Sequence, residues 1–341
     1  MLSRLDRLAY HGQHLGFLIN ATVMQEAARI VSRAKRPQLS RDVIRVLRDR
    51  RTALHRADLA NVEAGMYPRE LLFDIPVRRY LRELPRLVRD APNVVRRMHD
   101  KNYKDIPDDV DRERFPPYYR RTFHWQTDGY FSDHSAEIYE LGVELLFRGT
   151  ADVMRRMIIP PITKFTKVAG DRTGLRVLDV ACGTGRTLHQ IGRANPKLRL
   201  HGADLSPAYI RRARRRLADI DEVTLAVENA EALPWADATF DIATSVYLFH
   251  ELPRNARRNV ARELARVVKP GGLVVIEDSA QLAESRELEK VLREFPAEFH
   301  EPFYADYLED DLAALLRDAG FIDVETQTHL VAKVVVARKP A

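Results

Sequence analysis

Apolar positions along the chain fall into two textures. From Leu15 to about Met98 they recur at intervals of three and four: Leu15, Leu18, Ile19 and Val23, then Val77, Tyr80, Leu81, Leu84, Leu87 and Val88, with arginine on the other faces. That spacing predicts amphipathic helices. Ser40, just ahead of an apolar-periodic run, reads as an N-cap. Lys101 to Pro117 is charged, holds three prolines and reads as a loop or linker. His124 to Ser132 is aromatic and polar without clean periodicity. A further helix is expected from about Ser135 to Met157, ended by Pro160-Pro161.

From Leu175 onward short apolar runs alternate with helix-like stretches. Leu175–Ala181, Leu198–Ala203, Val223–Val227, Phe240–Val246 and Leu273–Glu277 suit buried parallel strands. Thr187–Ala194, Pro207–Leu217 and Ala256–Val268 read as the helices between them. This order predicts an α/β fold, a parallel sheet with helices on both faces. A helix over Tyr307–Ala319 should stop at Gly320, and Val324–His329 with Val331–Ala337 should close the sheet as a strand pair. The expected organisation is an α-helical N-terminal extension over residues 1–130 and a sheet-containing domain over 131–341.

Composition narrows the class. The 341 residues are 45% hydrophobic and 30% charged, with a single cysteine, Cys182. This suits a globular protein of two domains, or one with an extension. One cysteine excludes a disulfide framework and a four-cysteine zinc site, and no metal-ligand set stands out. The longest uncharged run, Leu8 to Gln25, is too polar to span a membrane, and Asp6 argues against a signal peptide. A cytoplasmic protein is expected. Charge is lopsided: the first 100 residues hold 20 basic against 11 acidic side chains, nearly all of the excess being arginine. Two readings compete, a surface that attracts anions and a solvated helical face whose arginine stems lie over apolar neighbours.

Four motifs carry chemistry. In Val177-Leu-Asp-Val-Ala-Cys-Gly-Thr-Gly-Arg186 a strand ends near Asp179, and Gly183 and Gly185 turn the chain into a helix whose N-terminus offers free N–H groups. The third glycine of a dinucleotide fingerprint would fall at Leu188 and is missing. An acid at Asp179 suits a ligand bearing an ammonium group better than a pyrophosphate. Asp204 ends the next strand, 19 residues beyond Gly185, where a carboxylate can accept bonds from ribose hydroxyls. The third motif is Glu228-Asn-Ala-Glu-Ala-Leu-Pro-Trp235. The fourth, Val267 to Glu277, contains Lys269-Pro-Gly-Gly272.

The run from Asp179 to Glu277 resembles the class I S-adenosylmethionine-dependent methyltransferases, and within them the quinone-biosynthesis and small-molecule branch. The matching stretch covers roughly residues 135–341, with the motifs in the family's order. The resemblance implies a Rossmann-like seven-stranded sheet with the last strand antiparallel. It implies S-adenosyl-L-methionine as cofactor and S-adenosyl-L-homocysteine as product. It places Asp179 near the methionine end, Ala181, Gly183 and Gly185 in the turn beside the cofactor, Asp204 on the ribose and Leu205 against the adenine. Asn229 and Ala230 fall at the adenine edge, and Ser245 to Tyr247 line the wall after the fourth strand. The family usually has Asp where this chain has Asn229, so the bond accepted there lacks charge. Cys182 reads as a small buried spacer.

Methyl transfer is an in-line displacement at a sulfonium methyl, so positioning and exclusion of water matter most and a base is optional. His250, after the fourth strand, is the candidate base or acceptor-orienting group, against a structural hydrogen bond, with Glu251 as a prospective partner. His124, Trp125 and Tyr130 are candidates for an aromatic lid over the sulfonium, and His300 and Tyr304 for the substrate pocket. The acceptor expected is small and hydrophobic or aromatic. The arginine-rich extension keeps a nucleic-acid methyltransferase in view, although no cysteine outside the turn and no Asn/Asp-Pro-Pro-aromatic signature supports nucleic acid as a partner. A non-catalytic cofactor-binding interaction module is a further alternative. A homodimer and peripheral contact with an anionic membrane are both compatible with the basic, apolar-striped extension.

Overall fold

The extension is built from three long helices: α1 (Arg4–Ser32), α2 (Arg41–Glu63) and α3 (Val77–Asp100). The structure, a computed structural model, describes residues 2–32, 39–170 and 174–341; residues 33–38 of the expected helical region lie outside them. Ser40 caps α2 as expected, its hydroxyl accepting from the Val43 amide at 3.2 Å. The apolar rows, however, do not all face inward. Leu8, Leu15, Ile19, Val23 and Ile30 on α1 and Val77, Leu81 and Val88 on α3 are exposed. The buried side of α1 is instead made by Tyr10, His14 and Ala21.

Neither reading of the arginine excess describes it fully. Arg79 and Arg97 point inward to polar partners, and Arg155 and Arg156, farther along the chain, do the same. Arg156 makes a two-pronged contact with the fully buried Asp58 at 2.9 and 2.5 Å. Tyr10 and Tyr67 donate to the same carboxylate at 2.6 and 2.5 Å. Arg79 with Glu140 and Arg156 with Asp58 are too far apart in sequence to leave a short-range signal of burial.

Two expectations about residues 135–161 need correction. The helix expected over 135–157 breaks after α4 (Asp133–Leu146). Gly149 adopts φ +78 there, and a Cβ at that position would collide with Phe17 of α1. The chain resumes as α5 (Ala151–Arg155) and α6 (Ile159–Val168). Pro160 and Pro161 occupy the first turn of α6 rather than ending a helix, because the leading positions of a helix need no intrahelical N–H donor.

The second part is a seven-stranded sheet: β1 (Arg176–Val180), β2 (Arg199–Asp204), β3 (Val223–Val227), β4 (Phe240–Val246), β5 (Val268–Ser279), β6 (Ile322–His329) and β7 (Ala332–Arg338). The order is β3-β2-β1-β4-β5-β7-β6. Strands β1 to β5 run parallel, and β7 lies antiparallel between β5 and β6. Helices α7 (Arg186–Ala194), α8 (Pro207–Arg216), α9 (Arg254–Val267), α10 (Glu289–Phe299), α11 (Tyr304–Glu309) and α12 (Leu312–Asp318) complete the fold. The single helix expected over 307–319 is two, because the Asp311 carboxylate accepts from the Ala313 and Ala314 amides and starts α12 afresh. Among the described residues no helix is long and apolar enough to cross a membrane.

The two parts are joined by polar contacts. Arg50 of α2 donates to Ser285 Oγ and the Leu330 carbonyl, both at 3.0 Å, reaching the β6–β7 hairpin. Arg186, which opens α7 directly after the glycine turn, grips Asp152 of α5 and reaches Asp74 of the extension at 2.9 Å. Glu140 of α4 accepts from Arg79, Arg216 and Thr184, tying α3, α4 and α8 to the glycine turn.

Candidate active site

The cleft opens at the carboxyl ends of β1, β2 and β4, beside the point where strand order reverses between β1 and β4, the place where open α/β sheets bind ligands. Ala181 and Gly183 line it, both in left-handed backbone at φ +57 and +54. A Cβ on Gly183 would meet nothing within 4 Å, so the missing side chain leaves open space above the turn. Gly185 has a different task. It caps α7 at φ +78, and a Cβ there would press on Leu217 Cδ1 and Ala213 Cβ at 3.0 and 3.1 Å. Its glycine permits the close approach of α8, and it is not among the lining residues.

Asp204 borders the cleft and is held by two amides, Gly183 N–H on Oδ2 and Ser206 N–H on Oδ1, both at 2.8 Å. Burial raises its pKa to about 6, opposed by those two bonds. Leu205, Asn229 and Ala230 line the same wall. The Asn229 side-chain oxygen already accepts from the Glu231 amide at 3.0 Å, so one of its lone pairs serves a local turn. Asp179 lies behind the turn, 1% exposed, accepting from Thr244 Oγ at 2.7 Å, and burial pushes its pKa up to about 7. Ser245 is also behind the wall, fully buried and donating to the Val180 carbonyl at 3.0 Å. Tyr247 does face the cleft.

Charge discriminates between ligands. Asp204, Glu228 and Glu251 border the cleft, and none of its lining residues is Lys, Arg or His. A pyrophosphate would meet uncompensated acids there. A ligand with ribose hydroxyls and a cationic sulfur or ammonium group meets complementary charge. The residues present therefore fit an adenosyl sulfonium.

A second, mostly apolar chamber adjoins the cleft and shares Tyr139, Tyr247 and Glu251 with it. Leu87 and Val94 come to it from α3, Phe147 follows α4, and Phe295 and Phe299 come from α10. Its titratable lining groups, tyrosines aside, are Asp90, His124, His250 and Glu251. The His250 imidazole Nδ1 stands 2.6 Å from Asp278 Oδ1, and Asp278 also accepts from the Phe249 and Ser279 amides at 2.7 Å. Burial opposes a charge on His250, but the Asp278 carboxylate outweighs it and the pKa rises. This corrects the expected partner: Asp278, at the end of β5, holds His250. Glu251 instead accepts from Tyr130 at 2.6 Å and faces His124 Nε2 at 3.3 Å.

The remaining candidates separate. His124 lines the chamber and Tyr130 the cleft. Trp125 is buried and donates to the Glu298 carbonyl at 2.9 Å, which fastens the 124–130 segment to α10. His300 stacks between Tyr103 and Trp125, each ring centroid 4.8 Å away, and Tyr304 packs against His250 at 5.8 Å. Neither lines the chamber or the cleft. The residue that does turn toward His124 is Glu301, next to His300, with Oε1 3.0 Å from His124 Nε2.

A family model described as a methyltransferase domain matches residues 177–272, from β1 into β5. The chain is 38% identical over 111 residues to a demethylmenaquinone methyltransferase of Halalkalibacterium halodurans, covering 32% of this chain and 44% of that protein, so it spans under half of that relative's length. It is 28% identical over 209 residues to the demethylmenaquinone methyltransferase of Geobacillus kaustophilus, covering 52% and 79% of the two chains. Similarity to O-methyltransferase rstn1 of Aspergillus nomiae is 32% identity over 171 residues, or 48% of this chain and 72% of that protein. With the seven-stranded sheet and the acid-lined glycine cleft, these relationships establish that the chain belongs to the class I S-adenosylmethionine-dependent methyltransferases.

Proposed function

We propose that the chain methylates a small, hydrophobic or aromatic acceptor held in the apolar chamber beside the cofactor cleft. The observation that carries this reading is the junction of the two cavities, an apolar room opening on an acid-lined one across Tyr139, Tyr247 and Glu251. The relatives' names point the same way, two being named for demethylmenaquinone and one for O-methylation.

In this reading Asp204 holds the ribose, Leu205 and Ala230 flank the adenine, and Gly183 gives the backbone room to approach. Asp179 sets the electrostatics from behind the turn. S-adenosylmethionine, when bound, supplies an electrophilic methyl on a sulfonium. The chain must keep water out and place the acceptor. Phe147, Phe295 and Phe299 do the first, and Leu87 and Val94 bring the extension over the room. His250 accepts the acceptor's proton at Nε2 while Asp278 fixes its Nδ1–H tautomer.

The test is transfer of a labelled methyl group from S-adenosylmethionine to a panel of phenols and hydroquinones. Turnover of at least one is expected. His250→Ala should lower kcat by about 10²–10⁴ without changing S-adenosylhomocysteine affinity. No transfer to any acceptor despite cofactor binding would favour an interaction module. Salt-sensitive RNA or DNA binding with methyl transfer to it would favour the nucleic-acid reading.

A further inference from the structure

At the seam between cleft and chamber, three segments bring together three side chains able to bind a metal. Among the described residues, His124, Glu251 and Glu301 are the one set of three His, Cys, Asp or Glu groups whose donor atoms all lie within 4.8 Å of one another. His124 comes from the loop before α4, Glu251 from the turn after β4, and Glu301 from the segment just after α10.

Hydrogen bonding within the cluster leaves one member unserved. His124 Nε2 stands 3.3 Å from Glu251 Oε1 and 3.0 Å from Glu301 Oε1. A ring nitrogen carries at most one hydrogen, so it can serve only one of the two acids. It is aligned on Glu251, which also receives the Tyr130 hydroxyl at 2.6 Å. Glu301 is 1% exposed, and neither of its oxygens has a hydrogen-bond partner. The short approach of Nε2 to Glu301 is thus proximity without an aligned N–H. A buried carboxylate with no donor is among the costliest polar arrangements a protein keeps. A buried histidine–glutamate ion pair alone does not account for it.

A cation at the centre of the three does. Donors about 2.1 Å from a metal lie about 3.0 Å apart in octahedral geometry and about 3.4 Å apart in tetrahedral geometry. The observed 3.0 and 3.3 Å fall on that range. One imidazole with two carboxylates suits zinc, manganese or ferrous iron better than the all-oxygen cages favoured by calcium and magnesium. We propose that His124, Glu251 and Glu301 bind one divalent first-row transition cation at this seam. His124 and Glu251 line the chamber and Glu251 also borders the cleft. Three protein ligands leave a coordination position open. If the methylation reading is right, that position is where an acceptor oxygen binds. The metal site itself does not depend on that reading.

The test uses the metal-free full chain and Mn2+ alone, followed by loss of the free-ion electron paramagnetic resonance signal, with Zn2+ as competitor. One Mn2+ per chain is expected, displaced by Zn2+ and accompanied by a rise in Tm. Glu301→Gln and His124→Asn, each checked for wild-type circular dichroism, should each weaken Mn2+ binding by at least tenfold and abolish the rise in Tm. S-adenosylhomocysteine titration of Glu301→Gln should match wild type, which separates loss of the metal from loss of the cofactor cleft. Absence of saturable Mn2+ binding by the wild type, or binding that survives either substitution in a folded variant, would overturn the proposal.

Discussion

Asp58 in the extension and Glu301 beside the cleft are both carboxylates with almost no surface, 0% and 1% exposed, yet they are buried in opposite ways. Asp58 is ringed by Arg156, Tyr10 and Tyr67, and despite its burial these partners hold its pKa below the usual range. Glu301 has no donor, and burial pushes its pKa up to about 8. The contrast extends to neighbours. Burial raises Asp179 to about 7, Asp204 to about 6 and Glu277 to about 8, whereas Asp152, gripped by Arg186 and Arg155, falls well below its ordinary value in spite of burial. Asp58 and Asp152 are thus closed ionic systems, although burial raises Glu83 and Glu144 nearby. The cleft end of the sheet gathers carboxyl groups that lack a cationic partner, which marks where a positively charged ligand belongs.

The largest effect expected from this contrast is in the extension. Asp58→Ala strands Arg156 in the interior and should cost about 3–5 kcal/mol in urea denaturation. Glu301→Gln removes a buried carboxyl group that accepts no hydrogen bond, so the apo chain should keep or gain stability. A loss there comparable to that of Asp58→Ala would break the comparison.

Changing pH sharpens it. Asp179, Glu277 and Glu301 bind protons more tightly folded, at about 7, 8 and 8, than at their ordinary values of 3.8 and 4.5. Their contribution to stability is full at low pH and is lost as pH rises through about 8. In the extension, burial lowers His14 to about 3 and His55 to about 4 from 6.5. The stability they carry is full above 6.5 and is lost as pH falls toward those values. Amide hydrogen exchange should therefore quicken first in α1 and α2 on acidification, and first around the cleft ends of β1 and β5 on alkalinisation. The reverse order would contradict the charge assignment.

The smallest effect is local. Ala181 holds left-handed backbone at φ +57 in the turn, so Ala181→Gly should raise stability by about 1 kcal/mol. A loss in urea denaturation would show that this backbone is unstrained.

What could be read in the sequence was what short spacing encodes. The glycine turn and the strand-end acids lie within one βαβ unit, so local patterning sufficed. Asp278 leaves no local signal although it follows Glu277 directly, because its role depends on His250, 28 residues earlier in the chain and brought close by the β4–β5 pairing. His300 drew attention for its chemistry. The left-handed backbone ending α10, at φ +50, accompanies a ring stacked on Tyr103 and Trp125, while the next side chain, Glu301, meets His124. The buried arginines escaped for the same reason: Arg156 and Asp58 are 98 residues apart. Periodicity identified the helices of the extension but not which side they bury, since aromatic and polar residues such as Tyr10 and His14 form the inner face of α1.

The central claim is that the acid-lined glycine cleft holds an adenosyl sulfonium through Asp204. Isothermal titration calorimetry of S-adenosylmethionine into the wild type and Asp204→Ala tests it most directly. Binding by the wild type, weakened by at least about tenfold in the variant, is the predicted result. Equal affinity for the two proteins, or a wild type that ignores this ligand yet binds a nicotinamide dinucleotide, would contradict it.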